Sequence, residues 1–157
     1  MAIAKAKKQD LDKIVKIAFG NFSGLKNAKR AKNWVRGNFS NFPRMQYFVS
    51  KNNGKISGYI LWVEKGGFRK ESVFELEQIA VARDFQGQGI GTKLIKESLN
   101  EIKKYLKKRG SKLKLVELTT GTENHAQNLY KKTLGAEAEC VIKNLFRGDE
   151  VIMIKRF

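Results

Sequence analysis

The chain has 157 residues, with one proline and one cysteine, Cys140; its 32 Lys and Arg against 15 Asp and Glu give a formal net charge of +17. That length suits one domain over residues 1–157 with a sizeable core, and a single cysteine excludes an internal disulfide, as expected of a protein in a reducing cytoplasm. No stretch is apolar enough to span a membrane, and Asp10 and Asp12 interrupt the basic N-terminus where a secretory signal would be apolar.

Residues 1–7 suit a first strand, and "DLDKIVKIAF" places Leu11, Ile14, Val15 and Ala18 at helical spacing. Residues 26–39 read as a second, basic helix around Trp34. "MQYFVSKNNGKISGYILWVEK" predicts a hairpin turning at Asn53-Gly54, and a loop over 66–71 leads into the β-rich "SVFELEQIAVARDF". Leu94, Ile95, Leu99, Ile102 and Leu106 mark a helix over 91–108 that Gly110 ends. Lys103, Lys104, Lys107, Lys108 and Arg109 crowd its last turns, where positive charge suits the helix dipole. "KLKLVELTT" predicts a strand, "ENHAQNLYKKTLG" a short helix stopped at Gly135, and "AEAECVIKNLFRGDEVIMIKRF" a closing hairpin turning near Arg147-Gly148-Asp149. The order is β-α-α-β-β-β-α-β-α-β-β, an α/β (α+β) fold on a mixed sheet. The strand–helix–strand unit over 72–120 calls for parallel strands and a right-handed crossover.

A charge of +17 attracts phosphate, whether in nucleic acid, in ribosomes or in an anionic cofactor. No RNA- or DNA-binding signature accompanies it, and 24 of the cations are lysines compatible with a plain solvated surface, so direct nucleic-acid binding is not the leading expectation. "DFQGQGIGTKLI", residues 84–95, is more specific. A Walker loop is excluded because Gly91 is followed by Thr92 and then Lys93, and a dinucleotide fold because Thr92 stands where its third glycine belongs. What remains is Q-x-x-G-x-G at Gln86, Gly89 and Gly91: a turn aiming successive N–H groups, at a helix N-terminus, toward a pyrophosphate, or else a tight strand-to-helix turn with nothing bound.

On these residues the chain resembles the GNAT superfamily of acetyl-CoA-dependent N-acetyltransferases over nearly its whole length. "IAVARDFQGQGIGTKLI" looks like the family's acyl-CoA motif, "NHAQNLYKKTLGA" is similar to its second signature, and "IAKAKKQDLDKIVKIA" to its first strand and helix. The resemblance implies a sheet of about seven strands whose parallel pair splays to admit acetyl-CoA. It implies that the backbone of Ile79, Ala80 and Val81 hydrogen-bonds the pantetheine arm and the acetyl carbonyl. The loop of Gln86, Gly87, Gln88, Gly89, Ile90, Gly91 and Thr92 then wraps the pyrophosphate. Tyr130 matches the tyrosine that protonates the departing thiolate. Where the family frequently has asparagine, three residues before Ala126, this chain has Glu123, with Asn124 one place later, which puts the pantetheine contact of Asn124 in doubt.

Acetyl transfer also needs a neutral amine. Glu77, then Glu75, both in a β-run that is otherwise apolar, and then Glu117, in alternation with Leu113 and Leu115, are the candidate bases; each is otherwise an ordinary charged residue. Tyr130 is otherwise a core residue, on a stripe with Ala126, Leu129 and Leu134. His125, the only histidine, lacks partners for metal ligation or nucleophilic catalysis, and no metal is expected. Cys140 reads as a packed strand residue. Long-range repulsion of polyamines and aminoglycosides favours a protein or peptide amine, possible ribosomal partners included, as acceptor. The competing class is a module of the same fold that holds CoA or RNA and transfers nothing. Oligomeric state is not legible.

Overall fold

A computed structural model describes residues 1–22, 27–52, 54–67 and 69–157. The strands are β1 (Ala2–Lys5), β2 (Met45–Asn52), β3 (Lys55–Lys65), β4 (Glu71–Val81), β5 (Lys112–Gly121), β6 (Glu137–Ile142) and β7 (Glu150–Arg156); the helices are α1 (Leu11–Asn21), α2 (Ala28–Ser40), α3 (Ile90–Lys108) and α4 (Ala126–Leu134). They follow one another as the sequence patterns predict, in a single seven-stranded sheet ordered β1-β2-β3-β4-β5-β7-β6. Among the described residues only β4 and β5 run parallel. Lys26, expected in the second helix, Asn53, expected in the hairpin turn, and Phe68 of the 66–71 loop lie outside the described residues. No helix among the described residues is long and apolar enough to cross a membrane.

Two cores flank the sheet. On one face Leu11, Ile14 and Ile17 of α1 and Val35 of α2 meet Tyr47, Val49, Tyr59 and Leu61. On the other, Leu94, Ile95, Ile102 and Leu106 of α3 and Leu134 of α4 meet Phe48, Ile60, Trp62 and Phe74. Strand β3 is sandwiched between them, which is why its sequence is continuously apolar over "YILWV" rather than alternating. Its Trp62 buries an N–H that donates to Ser98 of α3 at 2.7 Å, so the burial leaves no polar group unpaired.

Two bulges set the geometry of the sheet's parallel pair. On β4, Leu76 stands opposite Trp62 but Gln78 opposite Leu61, so Glu77 is an extra, bulged residue. On β5, Leu113 stands opposite Ser72 but Leu115 opposite Val73, a bulge at Lys114. The second bulge corrects the expected alternation: Leu113 points into the α3 core with Val116, while Leu115 and Glu117 share the opposite face. The parallel ladder of β4 with β5 stops at the Glu75–Glu117 pair, whereas β5 stays paired with β7 as far as Gly121. The bulge bends β4 away and the two strands part, as the resemblance implied.

Other departures are local. Strand β4 ends at Val81, and the "RDF" that looked like its continuation is a single 3₁₀ turn, Arg83–Phe85. Helix α4 starts only at Ala126. Cys140 is exposed, not packed, because β6 is the sheet's outer strand and every one of its residues is exposed. The basic end of α3 is partly satisfied within the chain: Arg109 forks onto the buried Glu64, Lys104 pairs with Glu101, and Lys103 sits over the Phe157 ring.

Candidate active site

Where β4 and β5 part, a cleft of about 790 Å³ opens. Its floor is Leu76 to Val81 of β4 and Thr119 to Gly121 of β5; α4 contributes Ala126, Leu129 and Tyr130. Beyond Glu75, β4 has no ladder partner on its β5 side among the described residues, so alternate backbone groups along Ile79, Ala80 and Val81 face the gap; the Val81 carbonyl accepts from Gln86 Nε2 and the others are left for a ligand. Gly58 keeps the neighbouring strand close: a Cβ there would stand 2.9 Å from the Ala80 carbonyl oxygen.

At the mouth of the cleft is the glycine turn. Gly87 and Gly89 have φ of +76° and +72°, a region in which a side chain is strained, and Gly89 stands immediately before α3 with no side-chain cap. Lys93 makes the first amide bond of the helix, to the Gly89 carbonyl at 3.1 Å. Among the described residues no protein acceptor takes the N–H of Gly87, Gln88, Gly89, Ile90, Gly91 or Thr92. Six consecutive free donors at the positive end of a 19-residue helix form an anion cradle, and the chemistry of a pyrophosphate fits it. Gln86 shapes the turn: its Nε2 donates to the Val81 carbonyl at 3.2 Å and to Asn21 Oδ1 at 3.3 Å, tying the loop to β4 and to the end of α1. Gln88 Nε2 similarly donates to the Asp84 carbonyl at 3.4 Å. Gly91 serves packing, because a Cβ there would lie 3.2 Å from Leu129 of α4.

Asn124 lines the cleft, but its Oδ1 accepts from the Ala126 amide at 2.9 Å, capping α4 and leaving only its Nδ2 for a ligand. Glu123 is exposed. Tyr130 is 7% exposed and packed in the α3–α4 core, and it also lines the cleft. Burial raises its hydroxyl above the ordinary range, and among the described residues that hydroxyl has no partner. His125 is exposed just before the helix.

The three glutamates fare differently. Glu75 and Glu117 stand side by side across the last rung of the parallel ladder and share Lys65, whose Nζ is 2.7 Å from one and 3.4 Å from the other. Glu77 has no ion pair among the described residues and is the one of the three that lines the cleft. Glu77 is exposed at the cleft, yet partial desolvation first, and then the neighbouring Glu75 carboxylate, raise its acid above the ordinary range, against a smaller opposing pull from Lys65.

Sequence patterns did not single out Asn21, Phe22, Gln78, Phe146 or Glu150, which also line the cleft. Strand polarity could have pointed to Thr119, Thr120 and Gly121, since ligands favour the C-terminal ends of parallel strands. Among the described residues the lining also carries a local sign opposite to the whole chain: its charged side chains are Glu77 and Glu150, with no Lys or Arg.

A mixed sheet parted at a parallel pair, with an anion cradle at the mouth of the gap, has the shape and chemistry that suit an elongated ligand with a phosphorylated end. Residues 10–136 match the acetyltransferase (GNAT) family. An uncharacterized N-acetyltransferase of Methanocaldococcus jannaschii is 33% identical over 98% of this chain, which spans 66% of that relative's length. The chain belongs to the GNAT family of acetyltransferases. Among solved structures, a ribosomal-protein-alanine N-acetyltransferase from Brucella melitensis superposes with a TM-score of 0.74 at 21% identity over 100% of both chains. An aminoglycoside 6'-N-acetyltransferase complexed with coenzyme A superposes at 0.77 and 16% identity, covering 99% of this chain and 97% of that one. At these identities the likeness is one of fold.

Proposed function

We propose that this protein transfers the acetyl group of acetyl-CoA to a primary amine of a protein or peptide, by direct attack within the cleft. The observation that carries this reading is the run of six free amides, Gly87 to Thr92, opening α3 at one end of a gap that has Glu77 and Tyr130 in its walls. The cradle holds the pyrophosphate, and the unpaired edge of Ile79 to Val81 holds the pantetheine arm and the acetyl carbonyl. Glu77 removes a proton from the bound ammonium, directly or through water. The freed amine nitrogen bonds to the thioester carbon, and main-chain N–H groups of β4 stabilise the oxygen that becomes negative. As the intermediate collapses, its nitrogen gives its second proton to water, the carbon–sulfur bond breaks, and Tyr130 protonates the departing thiolate and regains its own proton from solvent.

A protein or peptide acceptor is favoured by the net charge of +17, which repels polycations at long range, and by the ribosomal-protein acceptor of one structural neighbour. The aminoglycoside-modifying neighbour and the two carboxylates of the cleft support the alternative of a small-molecule amine. Thiol release from acetyl-CoA across peptide, polyamine and aminoglycoside panels decides between them; release with spermidine alone refutes the preference. CoA binding by calorimetry with no release on any amine would leave a cofactor-binding module.

A further inference from the structure

The bulge on β4 does more than part the sheet. Gln78 lies opposite Leu61, and Glu77 reaches Glu75, which lies opposite Val63; Leu61 and Val63 both belong to the α1–α2 core. Two consecutive residues, Glu77 and Gln78, therefore present their side chains on one face, where a regular pleat would send them to opposite faces. Both line the cleft.

Gln78 is also oriented. Tyr59, fully buried beneath it in β3, donates its hydroxyl to Gln78 Oε1 at 3.1 Å. A carboxamide whose oxygen is taken from below turns its NH₂ group the other way. Among the described residues that Nε2 donates to no protein acceptor. The glutamine is thus a fixed pair of N–H donors beside a carboxylate, and the cofactor-binding role given to the β4 main chain and the glycine turn leaves it unused.

We infer that Gln78 selects the acceptor: its Nε2 donates to the carbonyl oxygen that follows the reacting amine, so that the substrate is the α-amino group of a peptide rather than an amine with no neighbouring carbonyl. This rests on the acetyl-transfer reading above. In an α-aminoacyl group the nitrogen and the carbonyl oxygen diverge from adjacent carbons. One side chain that accepts from the amine, next to one that donates to the oxygen, complements that pair. An amine lacking the carbonyl forfeits the bond and displaces the water that would otherwise satisfy Nε2. The basicity of the substrate agrees: an α-amine, with a pKa of ~7.7–8.0, asks less of a lone carboxylate than a lysine side chain at ~10.4.

The test is the ratio of kcat/KM for a short peptide with a free α-amine to that for an alkylamine of similar length without a carbonyl, read by thiol release. In Gln78→Leu this ratio falls about tenfold, through the KM of the peptide, as loss of one hydrogen bond in a site predicts. Gln78→Glu, which offers acceptors only, lowers it further. Tyr59→Phe, which releases the carboxamide to rotate, lowers it part of the way. Calorimetry with CoA shows that each variant is folded. An equal loss on both amines, a loss confined to kcat, or an unchanged ratio overturns the assignment of Gln78 while leaving acetyl transfer intact. Absence of thiol release by the unaltered protein on either amine overturns the parent reading, and this inference with it.

Discussion

Two parts of the cleft are built from different materials. At the glycine turn the ligand would meet main chain: six free amides, two glycines held at positive φ, and side chains such as Gln86 and Gln88 that point back to brace the loop. Elsewhere in the cleft it would meet side chains: Glu77, Gln78, Phe22, Phe146 and Glu150. A backbone cradle recognises a phosphate whatever residues surround it, provided that the turn can form. A wall of side chains discriminates, and its members come from α1, β4, β7 and the connection between β6 and β7. The first part answers to local conformation, the second to assembly of the whole sheet.

Substitutions can break this contrast. The largest effect is expected for Tyr130→Phe, which should lower kcat on the order of a hundredfold or more while CoA still binds by calorimetry, because it removes a proton donor and little volume. Glu77→Gln should follow, with about a hundredfold loss at neutral pH that shrinks as pH rises and the amine loses its proton unaided. In the unaltered protein the rate should climb with pH through a group titrating above the ordinary carboxylate range, since Glu77 works deprotonated and its acid is raised. Glu75→Gln should move that limb to lower pH, because it removes the neighbouring negative charge and releases Lys65. The same shift has a stability sign. An acid raised on folding favours the folded state below its ordinary range, and that favour is lost as pH rises through the raised value. Glu77→Gln should therefore leave the melting temperature at neutral pH equal or higher, as expected of a group placed for chemistry.

At the glycine turn a substitution should weaken the cofactor rather than the chemistry. Gly89→Val forces a β-branched residue to φ near +72°, at a cost of about 1–2 kcal/mol, and should weaken CoA binding about tenfold through a distorted cradle. Titration calorimetry reads this directly; a fall in kcat at unchanged CoA affinity would mean that the turn does not hold the cofactor. The smallest effect belongs to neither part. Cys140→Ser on the exposed outer strand should change stability by less than about 0.5 kcal/mol, and the native thiol should react with a labelling reagent as fast as an open one.

How far each part was legible depends on the same contrast. The element order, the hairpins, the helix over 90–108 and the glycine turn are written in short-range patterns: apolar residues at steps of three and four, dense glycines, and the glycines that end α3 and α4. Residues 86–92 need only their own φ angles and the following helix to make a cradle, so sequence sufficed for that part. The sequence put Glu77 ahead of Glu75 and Glu117, but which of the three lines the cleft only the tertiary structure shows. A bulge at Glu77 and another at Lys114 shift which residues share a face, and single-strand alternation cannot show either. Lys65, arriving from β3, pairs with two of the three carboxylates. Cys140 looked packed because its strand is β-rich, but its position at the margin of the sheet is a matter of strand order. Pairing partners, and hence which charges meet and which strands part, are set between residues far apart in the chain; that is why the glycine turn could be read along the sequence and most of the other residues lining the cleft could not.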